Sequence, residues 1–337
     1  MPVLRHDLPL QGIGPGRTLR IVVVAPNWIG DALMAQPLLA RLRDKTPPPR
    51  IDVVAPAWVA PVVRRMPEVD EVIEVPFRHG ALDLGARWRL GRELRGRGYD
   101  HAIVLPNTWK SALPVFFAGI PLRAGYTGEA RYGLLNLRYE SVDAPMREHY
   151  AALSDGPAAF RGALPKAELR WSQEKVSEAR TRFGLAADYA VFCPGAEFGP
   201  AKRWPYFTEL AEKVPLPVVI VGSPKDAEAA SGIKGVNLVG RTSLDEAIDI
   251  LAGARFVVSN DSGLMHVAAA LGKPLVALFG SSSPAHTPPQ PGASRVLWLG
   301  IECSPCFQRR CPLGHFRCMR EMDVDKVLKE IQNLASP

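Results

Sequence analysis

One carboxylate stands where the first apolar strand of the sequence gives way to a helical pattern. The apolar run 19–25 is followed by a short loop in which Gly30 permits close backbone approach, and Asp31 lies at the start of the helix. A carboxylate at the mouth of a strand is well placed to accept a proton from an incoming hydroxyl group. Asp is also a common N-cap, so a general base and a helix cap are both open for Asp31.

Two segments of the second half predict a phosphate site. In the first, 193–205, small residues such as Gly195 let backbone N–H groups approach an anion. Lys202 and Arg203 add positive charge near the start of a helix. A solvated turn with two basic residues is the alternative for this segment.

The second segment, 259–270, is polar at a strand end and continues into a helix. The first-turn amides from Ser262 and Gly263 onward, together with the helix dipole, predict a diphosphate site. His266 could face the same pocket, and a structural histidine is the alternative. Asp261 is acidic, so we expect it to accept hydrogen bonds from backbone amides or ligand hydroxyl groups and not to contact phosphate.

Basic residues follow the predicted strand that ends at Leu105. Lys110 comes first, and Arg123 and Arg131 follow shortly after it. Basic side chains near strand ends could bind an anionic substrate, and scattered surface residues are the alternative. We treat these three residues as candidates for binding an anionic acceptor.

Four cysteines lie close together near the C-terminus, with His315 among them. Their thiolates could hold a structural zinc ion, although only the first pair has the usual Cys-x2-Cys spacing. Reduced thiols and disulfides are the alternatives. We find no secretory signal at the N-terminus, so we expect a reducing compartment in which disulfides are not the default. The candidate zinc ligands are Cys303, Cys306, Cys311 and Cys318.

The elements that must position these residues follow one pattern of strand, loop and helix, which occurs in both halves. Short apolar runs separated by amphipathic segments are typical of a parallel sheet that is covered on both faces. Ligands of such sheets bind at the carboxyl ends of the strands, where the candidate residues fall. The predicted strands are 19–25, 51–55, 72–75, 101–105, 189–193, 218–221, 237–239, 256–259 and 275–279.

The pattern predicts an α/β fold with two Rossmann-like domains. We place a flexible tail at 1–18, the first domain at 19–160 and the second at 166–320. We expect a C-terminal helix at 321–337 to pack back toward the first domain.

The bulk composition excludes several classes of protein. With 47% hydrophobic and 22% charged residues, the sequence is typical of a globular protein, and its apolar runs fall short of the ~20 residues that span a bilayer. The loop after the first strand has a single glycine, which argues against a nicotinamide-dependent dehydrogenase. The net charge of +7 suits an anionic partner. Nucleic acid is not expected, because no zinc-finger, RNP or helix-turn-helix signature occurs.

Five long blocks, in order, resemble the ADP-heptose:lipopolysaccharide heptosyltransferases of glycosyltransferase family 9, and within them the type II enzymes. Short motifs inside these blocks are weak, but together they span most of the chain. The blocks are APNWIGDALMAQPLLARLR (25–43), LPNTWKSALPVFFAGIPLRAGYTGEARYGLLN (105–136), CPGAEFGPAKRWP (193–205), NDSGLMHVAAALGKPLVALFGSSSPAHTPP (260–289) and CSPCFQRRCPLGHFRCM (303–319).

The resemblance implies a GT-B architecture, in which two domains face each other across a cleft. It implies that the C-terminal domain holds an ADP-activated donor, that the N-terminal domain binds the acceptor, and that the sugar carbon is inverted. The type I heptosyltransferases use a Glu for the adenosine ribose where this sequence has the loop 222–226, and Asp226 is the candidate here. The matching positions are Asp31 for the base, Lys202 for the phosphate contact, and Asp261, Ser262, Gly263 and His266 for the diphosphate loop.

The activity implied is transfer of L-glycero-D-manno-heptose from ADP-heptose to the first heptose of the Kdo2–lipid A inner core. We expect a cytoplasmic enzyme that contacts the inner-membrane surface peripherally. No cofactor is expected, because no Asp-x-Asp metal site appears near the donor loops. A type I or type III heptosyltransferase acting on another inner-core acceptor is the alternative.

Overall fold

The computed structural model describes residues 17–77, 82–157 and 160–335. The predicted tail lies outside the described residues except for its last two positions. The chain divides into two units between Ala167 and Glu168, two residues after position 166, where we placed the start of the second domain. In the described ranges, no helix is long and apolar enough to cross a membrane.

The first unit is built on a six-stranded parallel sheet with the order β3-β2-β1-β4-β5-β6. β1 and β4 are neighbours at its centre, and the chain runs outward from them in both directions. The strands are β1 (Arg20–Val24), β2 (Arg50–Pro56), β3 (Glu71–Val75), β4 (His101–Val104), β5 (Leu122–Tyr126) and β6 (Leu137–Tyr139). The helices are α1 (Ile29–Met34), α2 (Gln36–Arg43), α3 (Ala60–Arg64), α4 (Leu84–Arg97), α5 (Trp109–Phe117) and α6 (Met146–Ala151).

The second unit repeats this plan with the order β12-β11-β10-β7-β8-β9, and its strands are also parallel. Its first and fourth strands, β7 and β10, are the central neighbours. The strands are β7 (Ala190–Cys193), β8 (Val218–Ile220), β9 (Val236–Asn237), β10 (Phe256–Asn260), β11 (Leu275–Phe279) and β12 (Ser294–Trp298). The helices are α7 (Gln173–Phe183), α8 (Phe207–Lys213), α9 (Leu244–Gly253), α10 (Gly263–Ala270), α11 (Arg317–Arg320) and α12 (Val324–Ala335).

The predicted α/β class is therefore confirmed, and the predicted strands are present with small shifts at their ends. Both sheets have the strand order of the Rossmann fold, whose ligand crevice lies where the order reverses. In the first unit that point lies between β1 and β4, and in the second between β7 and β10. The central strands are buried along nearly their whole length, as expected where helices cover both faces of a parallel sheet.

Three strands were not predicted. β5 and β6 each contain an arginine, and β12 is an edge strand whose residues are exposed or half-buried. These strands therefore lack the continuous apolar run on which the prediction depends.

The C-terminal helix differs from the expectation. We predicted that it packs toward the first domain, but α12 packs on β11, β12 and α8 of the second unit. Val324 and Val327 are buried in the core of that unit, and Leu328 and Ile331 pack beside them. The helix is strongly amphipathic, and its apolar face covers the sheet next to its own position in the chain.

Candidate functional site

Asp31 lies at the carboxyl end of the central strand β1. The N-cap of α1 is Trp28, whose side chain makes no capping hydrogen bond, and Asp31 is the third residue of the helix. The N-cap alternative is therefore excluded, because Asp31 is one of the helical residues. Its backbone carbonyl accepts a bond from the Ala35 N–H at 2.9 Å, as expected inside a helix.

Asp31 lines a cavity of about 200 Å³ at the point where the strand order of the first sheet reverses. The loops after β1 and β4 form two walls, and α6 forms the third. Such a concave site with a few polar groups is suited to a small ligand or to one sugar of a larger one. The lining residues are Pro26, Asn27, Trp28, Asp31, Leu105, Pro106, Asn107, Met146, His149 and Tyr150.

Tyr150 was not predicted from the sequence, and its phenol interacts electrostatically with the candidate base Asp31. Its side chain is buried, and burial, followed by the negative charge of Asp31, raises the pKa of Tyr150 far above that of a free phenol. The phenol therefore keeps its proton beside the Asp31 carboxylate. The carboxylate then has a neutral hydroxyl group beside it in the cavity.

The position of α6 is fixed by aromatic packing. The His149 ring stacks on Tyr126 at a centroid distance of 4.0 Å, and the Tyr126 hydroxyl donates to the His149 carbonyl at 2.5 Å. A nitrogen of the His149 ring lies 3.0 Å from the Val142 carbonyl oxygen. These contacts tie the helix that carries Tyr150 to the end of β5.

Arg131 has a different role from the predicted one. Its side chain is 1% exposed, and its guanidinium donates to the Pro106 carbonyl at 2.7 Å and to the Asn107 Oδ1 at 3.1 Å. It also donates to the Tyr126 carbonyl. Arg131 therefore holds the loop after β4 in place and is not presented to a ligand as a free cation. We correct the acceptor-binding prediction for this residue to one of positioning the cavity wall.

Arg123 also fails to reach the cavity. It pairs with Ala102 near the amino-terminal end of β5, whereas the cavity lies at the carboxyl ends of the strands. Its guanidinium donates to the carbonyls of Ile120 and Leu134, at 2.6 and 2.7 Å. Of the three predicted acceptor residues, Lys110 lies at the appropriate edge of the sheet, because it is the second residue of α5.

The second unit brings two of the predicted donor residues into contact. The Lys202 ammonium lies 2.5 Å from the Asp261 Oδ2, and both side chains are nearly buried, at 14% and 5% exposed. The Ser282 hydroxyl donates to the same oxygen at 2.5 Å. Asp261 was expected to accept from backbone amides or ligand hydroxyl groups, and its described partners are instead Lys202 and Ser282. The contact exists because the loops after β7 and β10 meet where the strand order reverses.

Asn260 joins the same two loops and was not predicted. Its Nδ2 donates to the Pro194 carbonyl at 2.7 Å, and its Oδ1 accepts from the Trp204 N–H at 3.1 Å. The side chain is buried, so both bonds form away from water. The loop that carries Lys202 is therefore fixed at both ends against the end of β10.

The start of α10 lies beside this pair. Ser262 is the N-cap but makes no side-chain capping bond, and its hydroxyl lies 3.3 Å from that of Ser259. Gly263 begins the helix, as the diphosphate prediction requires. His266 is buried one turn further along α10. The first-turn amides and Lys202 thus form one positively polarised edge.

Gly195 and Asp226 are in contact, although not for the predicted reason. Asp226 is buried and accepts bonds from the Ser223 N–H and hydroxyl at 2.9 and 2.8 Å, which caps the short helical turn 224–226. A Cβ on Gly195 would lie 2.2 Å from the Asp226 carboxyl carbon. Glycine is required there because the carboxylate packs against the backbone. The role that the structure describes for Asp226 is a cap, and the ribose contact stays a prediction.

The four clustered cysteines are free thiols that line a cavity of about 20 Å³ together with His315. Burial and the neighbouring thiols raise the pKa of Cys318 to about 11. Among the residues that the structure describes, no three His, Cys, Asp or Glu side chains are grouped so as to hold a metal ion. The structure therefore does not support the disulfide alternative.

The cysteine-bearing segment, 303–318, packs against the loop that carries Lys202 and stabilises it. The Arg309 carbonyl accepts from the Ala201 N–H at 3.1 Å, and the Phe307 N–H donates to the Ser281 carbonyl at 2.7 Å. The Phe198 ring lies 4.8 Å from the Lys202 ammonium and 5.4 Å from the Arg309 guanidinium carbon. The segment thereby supports the loops that carry Lys202 and Ser282.

Substitution of Gly199 tests whether the contact with the cysteine-bearing segment positions Lys202. Its φ of +142° favours glycine, and a Cβ there would lie 2.5 Å from the Arg309 carbonyl oxygen. We expect Gly199→Ala to displace Lys202 and to lower kcat/KM by about 10²-fold, the scale on which misplacement of about 1 Å acts. Steady-state kinetics measure the effect. Gly96→Ala is the control, because a Cβ at Gly96 meets nothing within 4 Å. Equal activity of Gly199→Ala and the parent protein would contradict this role of the segment.

Comparison with known proteins gives concordant results. The family described as glycosyltransferase family 9 (heptosyltransferase) matches residues 87–317. The chain is 44% identical to lipopolysaccharide heptosyltransferase 2 of Escherichia coli K12, over 94% of this chain and 98% of that protein. Its identity to the protein of the same name from Salmonella typhimurium is also 44%, over 94% and 99% of the two chains.

Solved structures agree with these relatives. The structure of E. coli ADP-heptose lps heptosyltransferase II superimposes with a TM-score of 0.83 at 40% identity, over 94% of this chain and 98% of that one. The family 9 glycosyl transferase of Veillonella parvula has the same fold, with a TM-score of 0.80 at 21% identity over 94% and 97% of the two chains.

Proposed function

The chain belongs to glycosyltransferase family 9, the heptosyltransferases, and we propose that it transfers L-glycero-D-manno-heptose from ADP-heptose to the first heptose of a Kdo2–lipid A inner core. The observation that carries this proposal is the 44% identity, over 94% of the chain, to two proteins named lipopolysaccharide heptosyltransferase 2. We place the reaction in the cytoplasm, at the surface of the inner membrane, because the acceptor is a lipid.

In the second unit, the residues favour a diphosphate leaving group. The first-turn amides of α10 can donate to phosphate oxygens, and the Lys202 ammonium is fixed beside them by Asp261. As the bond between the sugar and the diphosphate breaks, negative charge grows on the phosphate oxygen. A cation that is already held in position stabilises this charge without reorganisation.

In the first unit, Asp31 acts as the general base. Its carboxylate takes the proton of the acceptor hydroxyl as that oxygen bonds to the anomeric carbon of the donor and ADP leaves. Attack from the face opposite the leaving group inverts the configuration of that carbon. Tyr150 keeps its own proton, so it does not compete with Asp31 for the proton of the acceptor.

No cofactor enters this mechanism, because Lys202 and the α10 amides supply the positive charge that a divalent cation supplies in other transferases. We therefore expect full activity in excess EDTA. Complete loss of activity in chelator, restored by Mg²⁺ or Mn²⁺, would contradict this part of the proposal.

Chromatography of the nucleotide products tests the proposed reaction. We expect ADP-heptose to be converted to ADP when a heptose-bearing inner core is present, and to remain intact when it is left out. Release of ADP at the same rate without acceptor would indicate a hydrolase. If no ADP were released with the acceptor present, the assignment of ADP-heptose as the donor would be contradicted.

A further inference from the structure

Helix α4 of the first unit has large apolar side chains on its outer face. Leu82, just before the helix, is 40% exposed, and Leu84 and Trp88 are 50% and 49% exposed. Leu84, Trp88 and Arg92 follow one another at intervals of four residues, so they form one stripe along the helix. The opposite face packs into the core, so burial within this unit does not account for the stripe.

The outer face of α4 is also basic. Arg89 and Arg92 are exposed, and the Arg92 guanidinium carbon lies 5.1 Å from the centre of the Trp88 ring. Of the two nearby acids, Glu93 is paired with Arg97 at 3.0 Å, and Asp83 interacts electrostatically with Arg87. A helix with Trp and Leu on its surface, flanked by arginines, is typical of binding at the interface of an anionic membrane.

The position of this face relates it to the cavity that holds Asp31. α4 and α5 follow parallel strands, so both helices begin at the edge of the sheet where the cavity lies. The Arg87 guanidinium donates to the Lys110 carbonyl at 2.9 Å, which fixes the first turn of α4 beside the first turn of α5. If the sugar of a lipid occupied the cavity, the membrane that holds the lipid would lie near the edge of the sheet where α4 and α5 begin.

We infer that Leu82, Leu84, Trp88, Arg89 and Arg92 form a docking face for an anionic lipid surface. The apolar side chains enter the boundary between headgroups and acyl chains, and the arginines bind lipid phosphates. The inference deepens the proposed function, since it names the surface on which a lipid-borne acceptor is met.

Vesicle co-sedimentation tests the docking face without donor or acceptor, so its outcome does not depend on the proposed reaction. We expect the full chain to bind vesicles of phosphatidylcholine and phosphatidylglycerol, and to bind less at high salt because exposed charges are screened. The double variant Leu84→Ser/Trp88→Ser should bind about tenfold less. Trp171→Ser is the matched control, since Trp171 is 46% exposed but lies in the second unit. Equal binding of the double variant and the parent would overturn the inference.

Kinetics and size measurements separate the docking face from other roles. With a water-soluble, deacylated core as acceptor, we expect the double variant to match the parent, whereas with the lipid acceptor in vesicles its rate should fall. An equal fall with both acceptors would assign the face to sugar binding and overturn the inference. A parent dimer that the double variant abolishes would assign the face to a second copy of the chain and would also overturn it. Unchanged thermal melting confirms that the variant is folded.

Discussion

Asp31→Asn lowers kcat by about 10²–10⁴-fold, the range expected when a general base is lost. The amide has the shape of the carboxylate but cannot accept the proton of the acceptor hydroxyl. Donor affinity should stay within about twofold, because the donor residues belong to the second unit. Steady-state kinetics give the first quantity, and calorimetric titration with ADP gives the second.

Glu148→Gln is the matched control for this substitution. Glu148 precedes two lining residues on α6, but its own side chain is exposed and is not part of the cavity lining. Its removal should leave kcat unchanged. Transfer by Asp31→Asn within threefold of the parent would reduce Asp31 to a structural member of α1.

We expect Lys202→Ala to weaken ADP binding and to lower kcat by about 10²–10³-fold. This is the usual effect of removing one hydrogen-bond donor that stabilises charge in a transition state. The rate should fall more than ground-state affinity, because the charge on the leaving phosphate is largest in the transition state. The buried Asp261 carboxylate, 5% exposed, then keeps Ser282 as a partner but loses its cation. It would therefore repel the diphosphate.

Two further variants separate the loss of the cation from the effect of the unpaired acid. Adding Asp261→Asn to Lys202→Ala should restore part of the thermal stability, because the double variant has no buried carboxylate without its cation. The rate should not recover, because the cation is still missing. Arg203→Ala should have little effect, since Arg203 pairs at 3.5 Å with the exposed Glu228. If Lys202→Ala had the same kinetics as the parent, the proposed contact between Lys202 and the diphosphate would be contradicted.

The sequence predicted the parts of the fold and site that depend on local pattern. Apolar runs between helical segments predicted the central strands of both sheets, and Asp31, Lys202 and Asp261 follow the carboxyl ends of these strands as expected. Edge strands such as β12 were missed, because exposed residues interrupt their apolar pattern.

Residues whose roles depend on tertiary contacts were not predictable in this way. Arg131 is a charged residue that would ordinarily lie on the surface, but it is buried because three oxygens from two strand ends converge on it. The roles of Ser282, Asn260 and Tyr150 were not predicted, and each is identified by the partner that the fold brings to it.

The acceptor that receives the sugar is the central claim, and mass spectrometry of the product tests it most directly. Purified inner cores that carry zero heptose or one heptose are incubated separately with the protein and ADP-heptose. We predict that the core with one heptose gains the mass of a single further heptose and that the core with none stays unchanged. Addition to the core that lacks heptose, with the other core unchanged, would contradict the claim and would identify the chain as the enzyme that adds the first heptose.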